Sequence, residues 1–355
     1  MKLKLESQKI WQQAAGDSNR NYVGICLKWG VILNGPGCDI PWPKCKSYLN
    51  KNNYSRKITD LERFCEKMSE GDLVVLRMGT NEIFGVGKIV GEYEHHNCFS
   101  DVDGWDIKHV RRVKWLWKNK KNPKIFKTYT LKQGDTTQEL DIEKSKEVIT
   151  WIEQLNVPKE KFDRDLEELP KQGHKTKRGD ISRYLFDLGV SNQIINDLHD
   201  EIDELIRIAN WYNRQSNPSE AETVAYLTIP LLRTLGWTPQ RMGVEWNKID
   251  IALFNELPRK NKFLSVVVEA KKKGRSCLTA WSQAQRYAEE ESRNTCNRLI
   301  VTDGLRYGVY LKENNHFVNS PVAYLNLTQL RDSYPIYDCQ GAKEALYIMS
   351  PYWSG

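Results

Sequence analysis

The 355-residue chain is longer than one hydrophobic core usually organises, so its length predicts two domains, with or without a helical connector. Its 40% hydrophobic and 28% charged residues exclude a largely disordered chain, and the lack of about 20 consecutive apolar residues argues against a membrane-spanning helix. The formal net charge is +7, and the excess lies in residues 1–140, where 24 Lys and Arg exceed 16 Asp and Glu.

The first part of the chain has the pattern of short strands separated by turn residues. Alternating or continuous apolar runs occur at VGICLKWGVIL (23–33), DLVVLRM (72–78), FGVGKIVGEY (84–93) and VRRVKWLW (110–117). An amphipathic helix is predicted over residues 58–68, with one face formed by Leu61, Phe64, Cys65 and Met68. These elements predict a small, curved, mostly β domain with a helix packed on it.

A basic segment ends this domain. Residues 108–132 contain ten Lys and Arg and no acidic residue, interleaved with Trp115, Trp117, Phe126 and Tyr129. Such a segment is typical of a surface that binds a phosphate backbone, because each neutralised phosphate releases condensed counterions. A solvated basic loop is the alternative.

The middle of the chain reads as a connector. We expect a polar linker over residues 118–140, a helix over 142–155 and an exposed charged stretch over 158–180. A longer helical pattern follows over residues 181–213, whose apolar positions recur at helical spacing. It is interpreted as a spacer or a dimer-forming helix.

The last part of the chain has an α/β pattern. A helix is predicted to end near Gly236, and the strands KIDIALF (248–254) and FLSVVVEAK (263–271) are predicted to form a hairpin. A helix over residues 278–291 and a second strand pair, 298–303 and 307–311, follow.

Asp250, Glu269 and Lys271 are the candidate catalytic residues of this α/β region. Period-2 alternation places Glu269 and Lys271 on one side of their strand, where Asp250 of the partner strand can join them. Two carboxylates can hold a hard Mg²⁺ ion, or Mn²⁺ in its place, and a lysine can orient a water for phosphodiester hydrolysis. The alternative is that Glu269 and the lysines after it are the solvated end of a core strand.

Residues on two predicted helices can complete this site. Gln283 and Tyr287 are four residues apart, so they share one helix face. Glu220 begins the first helix on the line of its apolar face and can offer a third carboxylate; Glu222 is the competing choice. Both glutamates also suit a first helical turn, where acidic residues favour the helix dipole.

Residues 215–315 resemble the PD-(D/E)xK nuclease superfamily, in particular the nuclease region of type I restriction motor subunits and related modification-dependent endonucleases. The likeness is carried by SEAETVAYLTIPLLRTLGW, KIDIALF, VVVEAKK, SQAQRY and NRLIVTDGLRYGVYL. It implies catalytic roles for Glu220, Asp250, Glu269, Lys271, Gln283 and Tyr287. The chain has no GxxxxGK[ST] motif, so we expect it to act without the translocating ATPase of the motor subunits.

Residues 22–116 resemble the EVE domains of the PUA-like superfamily, β-barrel modules related to YTH domains that hold a modified base in an aromatic pocket. The segments concerned are YVGICLKWGVILNGPG, GDLVVLRMGTNEIFGVGKIVGEYEHH and DIKHVRRVKWL. The candidate pocket walls are the aromatic residues Trp29, Trp42, Phe99 and Trp105. The candidate contacts to the DNA backbone are His109, Arg111, Arg112 and Lys114.

The remaining signals favour a reduced, intracellular protein. The eight cysteines form no CxxC pair, which is typical of buried thiols, and His95-His96 lacks the spacing of a known zinc motif. The first residues lack the apolar run of a secretory signal. We therefore expect a cytoplasmic protein with no membrane partner.

The predicted architecture is an α+β and α/β multidomain protein. It comprises a modified-base-reading domain over residues 1–135, a helical connector over 136–212 and a PD-(D/E)xK nuclease domain over 213–355. The predicted function is Mg²⁺-dependent cleavage of double-stranded DNA that carries modified cytosine, as in type IV restriction of phage or foreign DNA. A double-strand cut needs two active sites or two visits, so a homodimer is one expectation.

Two alternatives remain open. In one, the protein is a defence or repair nuclease whose first domain reads RNA or another lesion. In the other, it is a nucleic-acid-binding protein with an inactive nuclease fold.

Overall fold

The computed structural model describes residues 8–35, 40–127, 131, 134–141, 143–156 and 166–355. The chain divides into two compact units, Met1–Lys171 and Gln172–Gly355. Both mix helices and sheet, which confirms the coarse prediction of an α+β and α/β multidomain protein. No helix among the described residues is long and apolar enough to cross a membrane.

The first unit is built on a mixed sheet with the strand order β4–β7–β6–β5–β1–β9, and β8 pairs with β6. Its strands are β1 Ile10–Ala14, β2 Gly16–Asp17, β3 Arg20–Asn21, β4 Val31–Asn34, β5 Leu73–Met78, β6 Glu82–His95, β7 His109–Lys118, β8 Lys124–Ile125 and β9 Thr137–Glu139. Its helices are α1 Val23–Trp29, α2 Lys44–Lys51, α3 Ser55–Glu62 and α4 Lys146–Glu153.

Side-chain hydrogen bonds link the two ends of this sheet and show that it curls. The Gln13 amide on β1 donates to the Leu33 carbonyl on β4 at 2.8 Å. The Asn34 amide at the end of β4 donates to the Thr137 hydroxyl on β9 at 2.9 Å. Polar groups buried on the inside of the curl are thereby satisfied.

Three of the four strands predicted in this unit are confirmed, and the first is wrong. Residues 23–29 form the helix α1 instead, with its apolar face buried, and only Val31–Asn34 is extended. Gly30 ends the helix in the left-handed region, at φ 57°, which lets the chain turn directly into β4. A short helix and a short strand together gave one continuous apolar run, which periodicity cannot separate.

The amphipathic helix predicted over residues 58–68 is confirmed. It consists of α3 followed by a π-helical turn over Arg63–Lys67, and all four residues of its predicted apolar face are buried.

β1, β9 and the two-residue strands β2, β3 and β8 of the first unit were missed in the sequence. β1 pairs in parallel with β5 and is almost wholly buried, with Trp11 only 1% exposed. β9 pairs with β1, so residues 137–139 belong to the sheet and the predicted linker over 118–140 is wrong there. The two glutamines of β1 gave this buried strand the sequence pattern of a polar segment.

The second unit is organised around a sheet with the order β10–β11–β12–β13–β14–β16–β18–β17, with β15 beside β14. Its strands are β10 Met242–Trp246, β11 Ile249–Phe254, β12 Leu264–Ala270, β13 Arg298–Thr302, β14 Arg306–Glu313, β15 His316–Phe317, β16 Ala323–Asn326, β17 Ser333–Tyr334 and β18 Cys339–Gln340. Its helices are α5 Arg178–Asp187, α6 Asn192–Arg214, α7 Glu220–Thr223, α8 Ile229–Thr234, α9 Trp281–Ala288 and α10 Ala342–Met349.

The predicted hairpin and the second predicted strand pair of this unit are both confirmed. β11 pairs antiparallel with β12, and β13 pairs antiparallel with β14. β12 and β13 are parallel, with α9 as their crossover. One face of β12, carrying Val266 and Val268, packs in a core with α6, α8 and α10, while Val267 on the other face packs against α9. Helices therefore cover both faces of β12, the strand that carries the candidate catalytic residue Glu269.

The predicted connector over residues 136–212 is not a separate part of the molecule. Its start supplies β9 and α4 to the first unit, and its end supplies α5 and α6 to the second. The predicted spacer helix is two helices, because Gly189 takes φ 83° and the Ser191 hydroxyl caps α6. The apolar stripe of α6 packs into the second unit's core, so it serves neither as a spacer nor as a free dimer face.

The predicted exposed stretch over residues 158–180 lies only partly within the described residues. The N–H of His174 donates to the Asp332 carboxylate at 2.8 Å, and Lys175 pairs with Arg331 in an isolated β-bridge. The described end of this stretch is therefore bound to the second unit rather than free in solvent.

Candidate active site

Asp250, Glu269 and Lys271 come together at one edge of the second sheet. This edge is formed by the start of β11 and the ends of β12 and β13. The Asp250 carboxylate accepts a 2.7 Å hydrogen bond from the Ala270 N–H, which fixes it against the end of β12. Burial raises the pKa of Asp250, and that hydrogen bond opposes the rise.

Glu269 is a carboxyl group buried without a normal hydrogen-bond partner. Its side chain is 0% exposed, and neither carboxylate oxygen has a partner within normal distance and angle. Burial, together with the nearby charge of the Asp250 carboxylate, raises the pKa of Glu269 to about 8. The charge of Lys271 and the backbone N–H of Asp250 oppose this rise. Such a group is costly to bury unless a cation compensates it.

Lys271 follows β12 directly and is held by two neighbours. Its N–H donates to the Thr302 carbonyl of β13 at 2.7 Å, and its ammonium donates to the Gln283 amide oxygen of α9 at 3.3 Å. Gln283, which the sequence predicted to reach the strand ends, therefore contacts Lys271.

Tyr287, the second residue of the predicted QxxxY pair, is placed differently. It lies one turn further along α9, where it packs against the apolar cluster on this face of the sheet. The Arg286 guanidinium lies 5.3 Å from its ring centroid. The described contacts of Tyr287 are thus with the core and with Arg286, rather than with the carboxylates.

The structure distinguishes Glu220 from Glu222, which the sequence left open. Glu222 folds back on Ser219 in a capping box: its carboxylate accepts the Ser219 N–H at 2.7 Å, and its own N–H donates to the Ser219 hydroxyl at 3.1 Å. These bonds lower the pKa of Glu222. Glu220 is exposed and close enough to Glu269 to raise its pKa. Glu220 is therefore the first-helix carboxylate whose charge acts on Glu269.

The loop after Lys271 is anchored by residues that sequence reasoning missed. Asp303, at the end of β13 and 0% exposed, accepts the Gly274 N–H at 3.0 Å and pairs with Arg306 at 2.5 Å. The Thr223 hydroxyl accepts the Lys273 N–H at 3.2 Å. The TDG turn after β13 was the available sequence signal. These anchors connect the loop to α7 and β13, which fixes the position of Lys271.

The residues at this edge fit a hard divalent cation. Among the described residues, no group of three or more His, Cys, Asp or Glu is arranged to hold a metal. Mg²⁺ does not require such a group, because it is usually bound by one or two carboxylates, waters and substrate phosphates. Asp250 and the unpaired oxygens of Glu269 supply that donor set.

The aromatic residues predicted to form a base pocket in the first unit have different environments. Phe99 is 0% exposed, so it is a core residue, and its assignment to a pocket wall is wrong. Trp42 is partly exposed, and its indole N–H donates to Glu66 at 2.8 Å. Trp29 is partly exposed at the end of α1, with the Lys28 ammonium 4.5 Å from its ring centroid.

Trp105 is partly exposed, but a buried cation already stacks on it. The Arg20 guanidinium lies 4.3 Å from its ring centroid, and Arg20 donates to the Asp103 carbonyl at 2.9 Å. This arrangement makes Trp105 part of the local packing of its loop.

Two of the predicted contacts to the DNA backbone are buried. Arg111 is 4% exposed, and its guanidinium donates to the carbonyls of Phe64, Cys65 and Met68, where the π-helical turn ends. His109 is 1% exposed and shares a 2.9 Å hydrogen bond with the Tyr93 hydroxyl. Both assignments are wrong, because the inward positions of β7 were read as part of a surface.

Arg112 and Lys114 point to the other side of β7 and are partly exposed. Arg112 donates to the Glu167 carbonyl. Further along the basic segment, the exposed cations are Lys118, Lys120, Lys121 and Lys127. The interleaved Trp117 and Phe126 pack edge-on against Trp151, and Tyr129 and Lys132 lie outside the described residues. The basic surface is therefore displaced towards the end of the predicted segment.

A polar cavity of about 400 Å³ in the first unit escaped sequence reasoning. Its lining residues come from the start of α3 and from the chain before β9: Asn53, Tyr54, Ser55, Arg56, Lys57, Asp60, Gly134, Asp135 and Thr136. Arg56 and Arg63 hold the Asp135 carboxylate at 2.8 and 2.7 Å, which lowers its pKa to about 2. A volume of this size admits a nucleobase.

Comparisons with known proteins found a family match and a structural likeness. Residues 38–140 match the model of a domain family of unknown function, DUF8426. No curated protein matches the chain. Among solved structures, the chain is similar to the YTH domain of the Zygosaccharomyces rouxii MRB1 protein in complex with N6-methyladenosine RNA. That match has 14% sequence identity and a TM-score of 0.25, over 43% of this chain and 91% of that chain.

Proposed function

We propose that the protein is a metal-dependent endonuclease that cleaves DNA carrying modified bases. The observation that carries the proposal is the buried Glu269 carboxyl, unpaired and beside Asp250 at a sheet edge. An ordinary strand end does not retain such a group, because solvating it or pairing it would lower its free energy. A divalent cation bound there removes the cost.

The residues of the edge have separate roles in this proposal. Asp250 and Glu269 would hold Mg²⁺ or Mn²⁺, which when bound supplies Lewis acidity towards the phosphate. Lys271, positioned by the Gln283 amide, would orient the attacking water and stabilise negative charge that develops on the phosphate oxygens. Glu220 would add a third negative group at the entrance to the site.

The first test is loss of cleavage without loss of binding. We expect Asp250→Ala and Lys271→Ala to reduce Mg²⁺-dependent cleavage of modified plasmid by at least about a hundredfold, since each removes a group that acts on the reacting phosphate. Lys260→Ala is the matched control, because this exposed lysine precedes β12 at its opposite end. Undiminished cutting by either site variant would refute the assignment.

The first unit would select the substrate. This role is supported by the exposed lysines of residues 118–127, the partly exposed Trp29 and Trp42, and the polar cavity beside α3. Lysines that neutralise phosphates would give general affinity, and a base turned out of the helix would give selectivity. In this proposal the protein acts in the restriction of foreign or phage DNA.

The second test compares substrates that differ only in one base or in the sugar. Matched DNAs carrying cytosine, 5-methylcytosine, 5-hydroxymethylcytosine or glucosylated base are incubated with protein and Mg²⁺, beside an RNA of the same sequence. We expect cleavage of at least one modified DNA and not of the cytosine DNA. Equal cleavage of the four DNAs would remove base selection from the proposal, and cleavage of the RNA alone would favour the RNA-reading alternative.

A further inference from the structure

Two large aromatic side chains of the second unit are about half exposed, so packing in the core does not explain their presence. Trp211 is 51% exposed and Tyr226 is 54% exposed. The other exposed aromatic side chains within residues 172–355 are Phe186 and Tyr352. A half-exposed tryptophan is an apolar surface that a soluble protein usually covers or uses for binding.

Both aromatic residues adjoin the helix that carries Glu220. Trp211 lies in the last turn of α6, and Tyr226 lies in the π-helical turn that continues α7. Tyr212 connects them: its ring centroid is 5.0 Å from that of Trp211, and its pKa is raised by burial, by Glu222 and, to a smaller extent, by the nearby Tyr226 hydroxyl. The Tyr212 hydroxyl donates to Glu222 at 3.3 Å. The pair therefore lies around the start of α7, whose first residue, Glu220, is close enough to Glu269 to contribute to its raised pKa.

Cationic side chains lie on the segments next to this place: the loop after Lys271 contacts the end of α6, where the Lys273 ammonium donates to Asn213 at 2.5 Å. Arg214 is exposed in the last turn of α6, and Arg275 is exposed in the loop after Lys271. Lys272 is close enough to Glu222 to lower the pKa of that carboxyl. A surface that combines exposed rings with cations complements a single nucleic-acid strand, whose bases stack and whose phosphates are negative.

We propose that Trp211 and Tyr226 stack on unpaired bases of the substrate strand next to the bond that is cut. The inference rests on the proposed nuclease function and adds to it a substrate geometry, in which the strand is locally separated at the active site. Stacking on an aromatic side chain tolerates any base, so this surface contributes affinity without sequence preference. The cations at the end of α6 and after Lys271 hold the phosphates of the same strand.

The kinetic test uses the full chain and a modified DNA with a short unpaired segment at the cleavage position. We expect Trp211→Ala and Tyr226→Ala each to raise KM about tenfold, with kcat changed less than about threefold, because stacking is lost while the reacting groups remain. Trp211→Phe should keep most of the affinity. Phe186→Ala is the matched control, since this side chain is 57% exposed on α5 of the same unit.

Photocrosslinking identifies the contact directly. DNA carrying 5-iodouracil in the unpaired segment is irradiated with the wild-type protein, and the crosslinked peptides are identified by mass spectrometry. Crosslinks to the peptides of Trp211 or Tyr226 support the inference. Crosslinks confined to residues 1–171, or unchanged KM in both alanine variants, would overturn it.

The two proposals fail separately. If Asp250→Ala abolishes cleavage while the Trp211 and Tyr226 variants retain wild-type KM, the nuclease assignment stands and the stacking surface does not. If light scattering shows that wild type is a dimer and Trp211→Ala is a monomer, the aromatic pair covers a second copy of this chain, and the inference is wrong.

Discussion

At the residue scale, the fate of a buried charge depends on its partners. Arg111 is buried on β7, and the carbonyls of Phe64, Cys65 and Met68 satisfy its guanidinium. Glu269 is equally buried, but its carboxylate oxygens have no such partners. The first arrangement stabilises a fold, and the second is suited to a ligand. Both residues lie on strands that the sequence predicted. Their burial depends on segments distant in sequence that pack against those strands.

We expect Glu269→Gln to stabilise the metal-free protein at pH 8. Because the pKa of Glu269 is raised to about 8 in the folded state, the folded protein retains a proton that the unfolded chain releases above its ordinary value of 4.5. Stability then falls as the pH rises from about 4.5 to about 8. The glutamine variant avoids this loss and should be more stable at pH 8 by a few kcal/mol, on the order of 1.4 kcal/mol for each unit of pKa shift.

Thermal unfolding in EDTA at pH 5, 6.5 and 8 measures this difference, with the exposed Glu291→Gln as the control. Addition of Mg²⁺ should raise the Tm of wild type at pH 8 and leave that of Glu269→Gln unchanged, because the ion requires the deprotonated carboxylate. A pH-independent difference between the two proteins would contradict the assigned pKa.

Replacement of Arg111 should weaken the fold rather than DNA binding. Arg111→Ala leaves several buried carbonyls without a donor, and each unsatisfied group costs about 1–3 kcal/mol, so we expect a loss of at least about 3 kcal/mol in denaturant unfolding. Lys120→Ala, at an exposed position, should leave stability unchanged and weaken DNA binding. Unchanged stability with weakened DNA binding in Arg111→Ala would instead support the prediction that Arg111 contacts phosphate.

At the element scale, the turn between β13 and β14 links the candidate site to the helix above it. Gly304 in this turn has φ 85°, and a Cβ there would lie 2.6 Å from the Cβ of Leu227 in the π-helical turn after α7. The turn also contains Asp303, which holds the loop after Lys271. Helix and turn therefore pack closely at the edge where Glu220 and Glu269 lie.

We expect Gly304→Ala to cost roughly 2–4 kcal/mol and to reduce cleavage, because it combines an unfavourable φ with a collision that moves α7 from the sheet. Gly189→Ala is the matched control: its φ is 83°, and nothing lies within 4 Å of its added Cβ. Its cost should stay near about 1–2 kcal/mol, with cleavage unchanged. Chemical denaturation and initial cleavage rates check both; equal effects of the two variants would show that the contact with Leu227 is unimportant.

Elements with strong local signals were predicted from the sequence, and those with weak signals were not. The hairpin of β11 and β12 follows from two apolar runs around a turn-rich segment. The buried strand β1, with the sequence IWQQA, has two glutamines whose amides bond inside the curled sheet. Those partners lie on β4 and β9, so the local pattern gave no sign of them.

At the scale of the whole molecule, the division of the chain differs from the prediction. The boundary between the two units lies between residues 171 and 172 of the chain, whereas the sequence pattern predicted that the nuclease domain starts at residue 213. The apolar side chains of α6, including Ile195, Leu198, Ile202 and Leu205, are buried in the core of the second unit. Amphipathic periodicity shows that a helix buries one face, but it does not show against what.

A fragment of residues 172–355 should therefore fold on its own, and a fragment of residues 213–355 should not. The shorter fragment lacks α5 and α6 and exposes the apolar surface that they cover. Circular dichroism melts should show one cooperative transition for the longer fragment and none for the shorter. Equal cooperativity of the two fragments would support the predicted boundary.

The sequence by itself determined the mixed α+β and α/β class, the hairpin and the further strand pair of the second unit, and the spacing of Asp250, Glu269, Lys271 and Gln283, because strand alternation and turn residues act over short distances along the chain. Only the tertiary structure decided that Glu222 closes a capping box while the charge of Glu220 acts on Glu269, that Phe99 and Arg111 are buried, and that α6 belongs to the second unit. These features depend on contacts between segments far apart in sequence, and burial and hydrogen-bond satisfaction are set by those contacts.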